Sequence, residues 1–377
     1  MKLFSTKLAA VVTATLVLVM QSPADAHVGT ATTAVNPALG IIGNYSDADM
    51  ASMQGAGAAD ALVEMEWAQA EPVRGKFDEK YFDRIATRIS QLKSLGYVIS
   101  FNTGIQNAPA WLLDLPGARY VDQFGETYTD SNEPNLIFGK QYRTLATRYL
   151  KKVFARLGGG FSIVRVGGGH WGELTYPFKL DPATGKLRNL YYAFDAAAKK
   201  SNPVPSWKPG QPSTKGQAAK FLTWYLNSLA AYQNWQITAL RQAGYTGTAA
   251  VLYPSYGMRG GDFDKAVATN LAGTSSPEIN GEVQRGYDAT RQVAAIKDTG
   301  VVVYGTWAEQ ANTVAYLAGL AKAKGLRAMA ETSHVCLPAQ LPAVMQLART
   351  NDLAALYIVR LQAGDIVKNA TFLTTQR

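Results

Sequence analysis

Two glutamates stand at the ends of apolar runs, and they are the residues of this chain best placed to do chemistry. One run, Ser162-Ile163-Val164-Arg165-Val166, leads into Gly169-His170-Trp171-Gly172-Glu173-Leu174-Thr175-Tyr176-Pro177. The other, Leu326-Arg327-Ala328-Met329-Ala330, leads into Glu331-Thr332-Ser333-His334. Each run has the length and apolar content of a buried strand. Strands far apart in sequence can deliver two carboxylates to one cleft, where one gives a proton and the other acts as base or nucleophile. That division of labour is what cleavage of a glycosidic bond requires.

The neighbours of the two glutamates differ. Trp171 and Tyr176 flank Glu173, and an aromatic setting desolvates a carboxyl and raises its pKa, as a general acid needs. The plainer alternative is a structural loop carboxylate paired to Arg165 or to a lysine. Glu331 is followed by Thr332 and Ser333, whose hydroxyls can hydrogen-bond a carboxylate and keep it ionised, as suits a nucleophile or a water-activating base. The plainer alternative there is a helix N-cap network.

His170 and His334 are two of three histidines in the chain, and each lies three residues from a candidate glutamate. A metal-dependent hydrolase using His170, Glu173, Glu331 and His334 is therefore an alternative. The usual barrel pattern of paired histidines after the first strand is absent, so contacts to substrate hydroxyls are the preferred role, with no metal and no cofactor. Trp67, Trp111, Trp171 and Trp307 all fall at or just past strand ends, where an indole can pack on the apolar face of a sugar. Glu66, Asn107, Tyr176 and Tyr304 complete the expected substrate-binding set, with Tyr304 and Trp307 placed to orient Glu331. A non-catalytic carbohydrate-binding barrel would keep the same aromatic ring.

The elements that must position these residues repeat along the chain. Eight strand candidates are Ala38–Tyr45, Ala61–Trp67, Tyr97–Thr103, Phe161–Val166, Thr248–Tyr253, Val301–Trp307, Leu326–Ala330 and Ala354–Leu361. Helical patterns lie between most of them, at Phe82–Leu95, Tyr142–Leu157, Ala218–Ala243 and Asn312–Lys324, each stopped by a glycine. This rhythm predicts an α/β fold, a single-domain (β/α)₈ TIM barrel with long βα loops. An open doubly wound sheet is the runner-up, but Gly167-Gly168-Gly169 leads to Trp171 and Glu173 rather than into a helix. The Pro-rich segment 178–216 is too long for a simple connection and is expected to be a loop of the substrate cleft, with a decorative insertion as the plainer alternative, and 254–277 is a second long βα loop.

Composition sets the outer limits. Residues 1–26 have the charged start, apolar stretch and Ala24-Asp25-Ala26 cleavage site of a secretory signal peptide, so residues 27–377 should form the secreted barrel domain. No later stretch is long and apolar enough to span a membrane. The net charge of +9 comes from scattered lysines and arginines, which argues against a nucleic-acid stripe and leaves a carbohydrate as the expected partner. Cys336 is the single cysteine, so no intrachain disulfide can form.

The segment from Trp67 to Asp78, read as W-x-x-x-E-P-x-x-G-x-F-D, resembles the strand-two signature of clan A glycoside hydrolases, most closely the family 42 β-galactosidases. The likeness continues through Phe82-Asp83-Arg84-Ile85, Ala108-Pro109-Ala110-Trp111-Leu112, Asp122-Gln123-Phe124-Gly125 and Tyr142-Arg143, roughly residues 60–150. The resemblance implies a (β/α)₈ barrel with the acid/base glutamate after strand four and the nucleophile after strand seven, roles that fall on Glu173 and Glu331. It also implies retention of configuration. There are departures. Gly172 stands where the clan has Asn, the stretch from Ala61 to Glu64 lacks the arginine of family 42, and the chain is shorter than that family's multidomain enzymes. Gly172-Glu173-Leu174-Thr175-Tyr176-Pro177 instead resembles the acid-bearing motif of β-amylases, which invert. A divergent or separate family related to both is the reading.

Overall fold

The computed structural model describes residues 36–374 except Ser255. The expected signal peptide lies outside the described residues.

Eight parallel strands close into a barrel in sequence order: β1 (Ala38–Ile42), β2 (Ala58–Glu64), β3 (Val98–Asn102), β4 (Ile163–Val166), β5 (Thr248–Tyr253), β6 (Val301–Gly305), β7 (Arg327–Glu331) and β8 (Ala355–Val359). All eight expected strands are present. The helices that follow them are α1 (Asp47–Gly55), α2 (Glu79–Ser94), α3 (Arg143–Leu157), α4 (Gln217–Gln242), α5 (Ala289–Ala295), α6 (Ala311–Ala323), α7 (Leu341–Thr350) and α8 (Ala363–Thr374). Their ends follow local chemistry. The Asp78 carboxylate accepts the Tyr81 amide at 3.1 Å and starts α2 three residues before the expected point. Gly96, at φ +92°, turns the chain from α2 back into β3.

Alternation along each strand sorts side chains between two cores. One row faces the helices. The other fills the barrel with Ile42, Ile163, Ala250, Leu252, Val302, Tyr304, Ala355 and Tyr357. Toward the N-terminal end of the barrel the filling is polar: Asp60 accepts Ser100 N and Oγ at 3.0 and 2.6 Å and also Ser162 Oγ, while Tyr357 OH bonds Ser100 Oγ at 2.8 Å. Gly40 makes room for Tyr357, since a Cβ there would lie 2.2 Å from its ring.

Segment 178–216 is an ordered wall. Tyr191, Tyr192 and Phe194 are buried, and Gln123 and Leu271 bond Asn189, tying the wall to the β3 and β5 loops. Its first residues reach the barrel mouth, where Phe178 meets the His170 ring at 5.4 Å.

Candidate active site

The inward row at the C-terminal end of the barrel is charged. Glu64 and Asn102 are register partners on β2 and β3, and Asn102 Nδ2 donates to Glu64 Oε1 at 3.2 Å. Arg165 comes from β4, Tyr304 from β6 and Glu331 from β7. One nitrogen of Arg165, Nη2, reaches both Glu331 oxygens at 3.0 and 2.9 Å, and the Tyr304 hydroxyl donates to Oε2 at 2.9 Å. The guanidinium also lies over the Tyr304 ring at 5.4 Å. An arginine inside an apolar run must find an anion when buried. Here it finds Glu331 across the barrel.

Burial pushes the Glu331 carboxyl up from its ordinary value, and Arg165 and Tyr304 pull against that shift. Burial likewise opposes the Arg165 charge, yet Glu331, Tyr304 and Glu64 overcome it and hold the guanidinium above its usual value. Two donors converge on Glu331, one permanently charged, which is an arrangement for a carboxylate.

Glu173 is built differently. Beyond β4 the chain doubles back: Gly169 N donates to Glu173 O at 2.8 Å, Gly172 N to Gly169 O at 2.9 Å, and Leu174 N to Leu252 O, at the end of β5, at 2.8 Å. A Cβ on Gly167 would stand 2.0 Å from Gly172 O, so the fold-back requires glycine at that position. Gln236 of α4 clamps the same point, accepting Gly167 N at 3.3 Å and donating to Gly167 O at 2.9 Å. Gly172 itself has φ +82°. The loop delivers Glu173 to a site where only 8% of its surface is exposed. Thr306 Oγ1 donates to Oε1 at 2.7 Å. Burial pushes the Glu173 carboxyl up to about 7; Thr306, Arg285 and Arg165 oppose the shift and the nearby Glu331 charge adds to it. A carboxyl that holds its proton near neutrality, beside one that a guanidinium and a phenol draw toward its charged form, is the pairing of general acid with nucleophile or base.

The other expected site residues divide into two groups. At the mouth, Trp171 is 62% exposed with φ +56°, and its ring meets His170 at 4.1 Å, Phe178 at 6.3 Å and His334 at 6.1 Å. This cluster joins the β4 loop to the β7 loop. His170 Nδ1 also lies 3.4 Å from the buried Glu133. Among the described residues no three His, Cys, Asp or Glu side chains group closely enough to hold a metal ion.

Several residues are corrected. Trp67 is fully buried: β2 ends at Glu64, and Trp67 opens a short helix (Trp67–Ala70), stacks on Tyr149 at 5.0 Å and donates Nε1 to Glu71 at 2.9 Å. Trp111 is half-buried edge-on to Trp67 and donates Nε1 to Glu71 O at 2.8 Å. Glu71 also accepts Gly75 N at 2.7 Å and pairs with Arg148. The W-x-x-x-E-P-x-x-G signature is thus a structural staple, and the buried Trp67 indole is no sugar platform. Tyr176 is buried, stacks on Tyr225 at 3.8 Å and donates to Tyr225 O. Trp307 lies past the end of β6 and lines a small void against α6 with Val314 and Leu317. Two expected residues are not displaced: Glu66 is exposed and bonds Gln69 at 2.7 Å, and the Asn107 carbonyl takes Ala68 N at 2.8 Å, contacts that leave both side chains open to substrate. Thr332 Oγ1 accepts Val359 N and Ser333 bonds Glu309, so neither holds Glu331. Tyr304 is placed as expected. Arg165 as the partner of Glu331, Thr306 and Glu64 had not been singled out.

The family pattern described as beta-galactosidase, glycoside hydrolase family 42, matches residues 43–166. The chain resembles that family. No curated protein matches its sequence. The catalytic domain of a β-amylase from Paenibacillus polymyxa superposes with a TM-score of 0.67 at 16% identity, over 89% of this chain and 94% of that one. A β-galactosidase from Marinomonas ef1 gives 0.58 at 13%, covering 90% of this chain and 59% of the other. One from Rahnella sp. R3 gives 0.59 at 10%, covering 90% and 56%. The chain thus spans under two-thirds of the galactosidases' length and nearly all of the amylase domain. At such identities the superpositions establish the barrel. The family match and the paired carboxyls support a glycoside hydrolase.

Proposed function

We propose that this chain is a secreted glycoside hydrolase that cleaves O-glycosidic bonds of a poly- or oligosaccharide. Glu173 protonates the leaving oxygen, and Glu331 attacks the anomeric carbon to give a covalent glycosyl intermediate that water then opens with retention. The observation that carries this reading is the unequal setting of the two carboxyls. Glu173 is buried against a hydroxyl with its pKa near 7, and Glu331 is held by a guanidinium and a phenol. His170, Trp171 and His334 at the mouth would meet the sugar on the leaving side. Export rests on the signal-like residues 1–26.

A second reading, inversion with Glu331 activating water, is favoured by the Gly172-to-Pro177 motif. One experiment separates the two: NMR of the first-formed product anomer. A polysaccharide panel that begins with starch-type glucans and β-galactosides, run with wild type, Glu173→Gln and Glu331→Gln, tests the assignment itself. Cleavage at wild-type rates by both variants would remove it.

A further inference from the structure

A groove of about 690 Å³ lies on the flank of the barrel, outside the mouth. The first turn of α3 and the preceding loop form one side, through Ile137, Phe138, Lys140 and Arg143. The outer face of α4 forms the other, through Lys220, Thr223, Trp224 and Asn227, and Ser201 and Pro203 of the 178–216 wall close one end.

Its chemistry is specific. Three cationic side chains line it, Lys140, Arg143 and Lys220, and no Asp or Glu does. Both lysines are exposed. Arg143 is fixed in place, donating Nε to Leu136 O at 2.8 Å and Nη2 to Ile137 O at 3.1 Å while stacking over Trp235 at 4.8 Å. The half-buried Trp224 indole stacks on Phe138 at 5.1 Å. Around it stand short hydroxyl and amide side chains: Ser201, Thr223, Asn227 and Ser228. Phe138 in turn meets Tyr176 at 6.0 Å, so the groove floor backs onto the loop that carries Glu173.

We propose that this groove is a second carbohydrate site that takes an acidic, uronate-bearing oligosaccharide. A pyranose presents an apolar face to Trp224, its hydroxyls reach the hydroxyl and amide row, and its carboxylates meet Lys140 and Lys220. Uncompensated positive charge excludes neutral chains from being the best ligand and selects anionic ones. The site goes beyond the proposed hydrolysis and does not depend on it, since it shares no side chain with the Glu173–Glu331 centre.

The test is calorimetric titration of the full chain carrying Glu173→Gln, which blocks turnover, with hexameric oligogalacturonate and with neutral cellohexaose at low salt. Oligogalacturonate is expected to bind, with cellohexaose about tenfold weaker or worse. Lys140→Gln with Lys220→Gln should weaken oligogalacturonate about tenfold and flatten its salt dependence, leaving cellohexaose unchanged. Trp224→Ala should weaken both. The lysines are exposed, so their replacement leaves the fold intact even if the Trp224 variant does not fold. Absence of oligogalacturonate binding, or equal affinity in the double-lysine variant, overturns the proposal. Lysine-dependent binding in a protein whose Glu173→Gln and Glu331→Gln variants both cleave at wild-type rates would keep this site and remove the proposed hydrolysis.

Discussion

The two ends of the active centre hold the same side chain by opposite means. At β4 the strand stops, three successive glycines let the chain fold back, and Glu173 hangs from that loop with a neutral hydroxyl as its hydrogen-bond partner. At β7 the strand itself carries Glu331 inward, where Arg165 reaches it across the barrel from β4 and Tyr304 holds it from the neighbouring β6. The first arrangement withholds solvation and leaves the proton on. The second sets a guanidinium and a phenol against the burial that raises the pKa of Glu331, and so favours the charged form. Carboxyl identity decides little here, and environment decides the role.

The largest effect comes from breaking that asymmetry outright. Glu331→Gln should lower kcat by about 10⁴-fold on every substrate, because the proposed nucleophile or base is gone. Glu173→Gln should cost about 10²–10⁴-fold on sugar leaving groups and far less on a dinitrophenyl glycoside, whose leaving group departs without a proton. Rates on the two substrate classes measure this, and a Glu331→Gln variant that also spares the activated glycoside would reverse the assigned roles.

Next in size is the support of Glu331. Arg165→Met leaves a buried carboxylate without its charge partner, and breaking a buried pair from one side costs about 3–5 kcal/mol. Denaturant unfolding should show that loss. The pKa of Glu331 should rise with it, moving the acid limb of the pH–rate profile to higher pH. An unchanged acid limb would mean that Arg165 holds the fold and not the charge.

How much of this could be read in the sequence follows from what each residue does. Period and punctuation made the eight strands and four glycine stops legible, since strands buried on both faces are apolar and α2, α3, α4 and α6 run into Gly96, Gly158, Gly244 and Gly325. Glu173 and Glu331 stood out because a carboxylate at the end of an apolar run is unusual. The partner of Arg165 was not legible, because strand alternation shows that it points inward but not which strand it meets. Trp67 and Trp111 misled for a physical reason. An indole near a strand end serves equally to stack on a sugar or to donate Nε1 to a buried glutamate, and only Glu71 at the other end of the bond distinguishes the two. The same staple explains why a family likeness can run through this segment and still say more about fold than about substrate.

A subtler comparison lies in proton affinity. Activity that depends on protonated Glu173 should fall as pH rises through about 7. Thr306 Oγ1 donates to the carboxylate and so lowers that value, and Thr306→Val should move the basic limb to higher pH. Stability carries the same signature. A folded-state pKa above the unfolded one stabilises the fold fully below about 4.5, and that contribution is lost as pH rises to about 7, a difference of about 3 kcal/mol. Glu173→Gln should therefore be more stable than wild type at neutral pH and should lose the decline between pH 4.5 and 7, as urea melts across that window would show.

The smallest expected effect is at Gly172. A Cβ there has room, with Asn102 Nδ2 and Gln106 Nε2 both at 3.5 Å, so the demand for glycine comes from φ +82° alone. Left-handed backbone costs an ordinary residue about 1–2 kcal/mol, and asparagine less because its short polar side chain bonds locally. Gly172→Ala should therefore lose about 1–2 kcal/mol of stability, and Gly172→Asn under about 1 kcal/mol. The asparagine would also bring an amide beside Asn102 and Gln106, at the position where clan A carries one. If Gly172→Asn keeps kcat within about tenfold, the fold-back loop positions Glu173 by its glycines and carbonyls, and the amide is dispensable to this centre. A loss beyond 10²-fold with stability intact would mean instead that the empty space beside Gly172 belongs to the substrate.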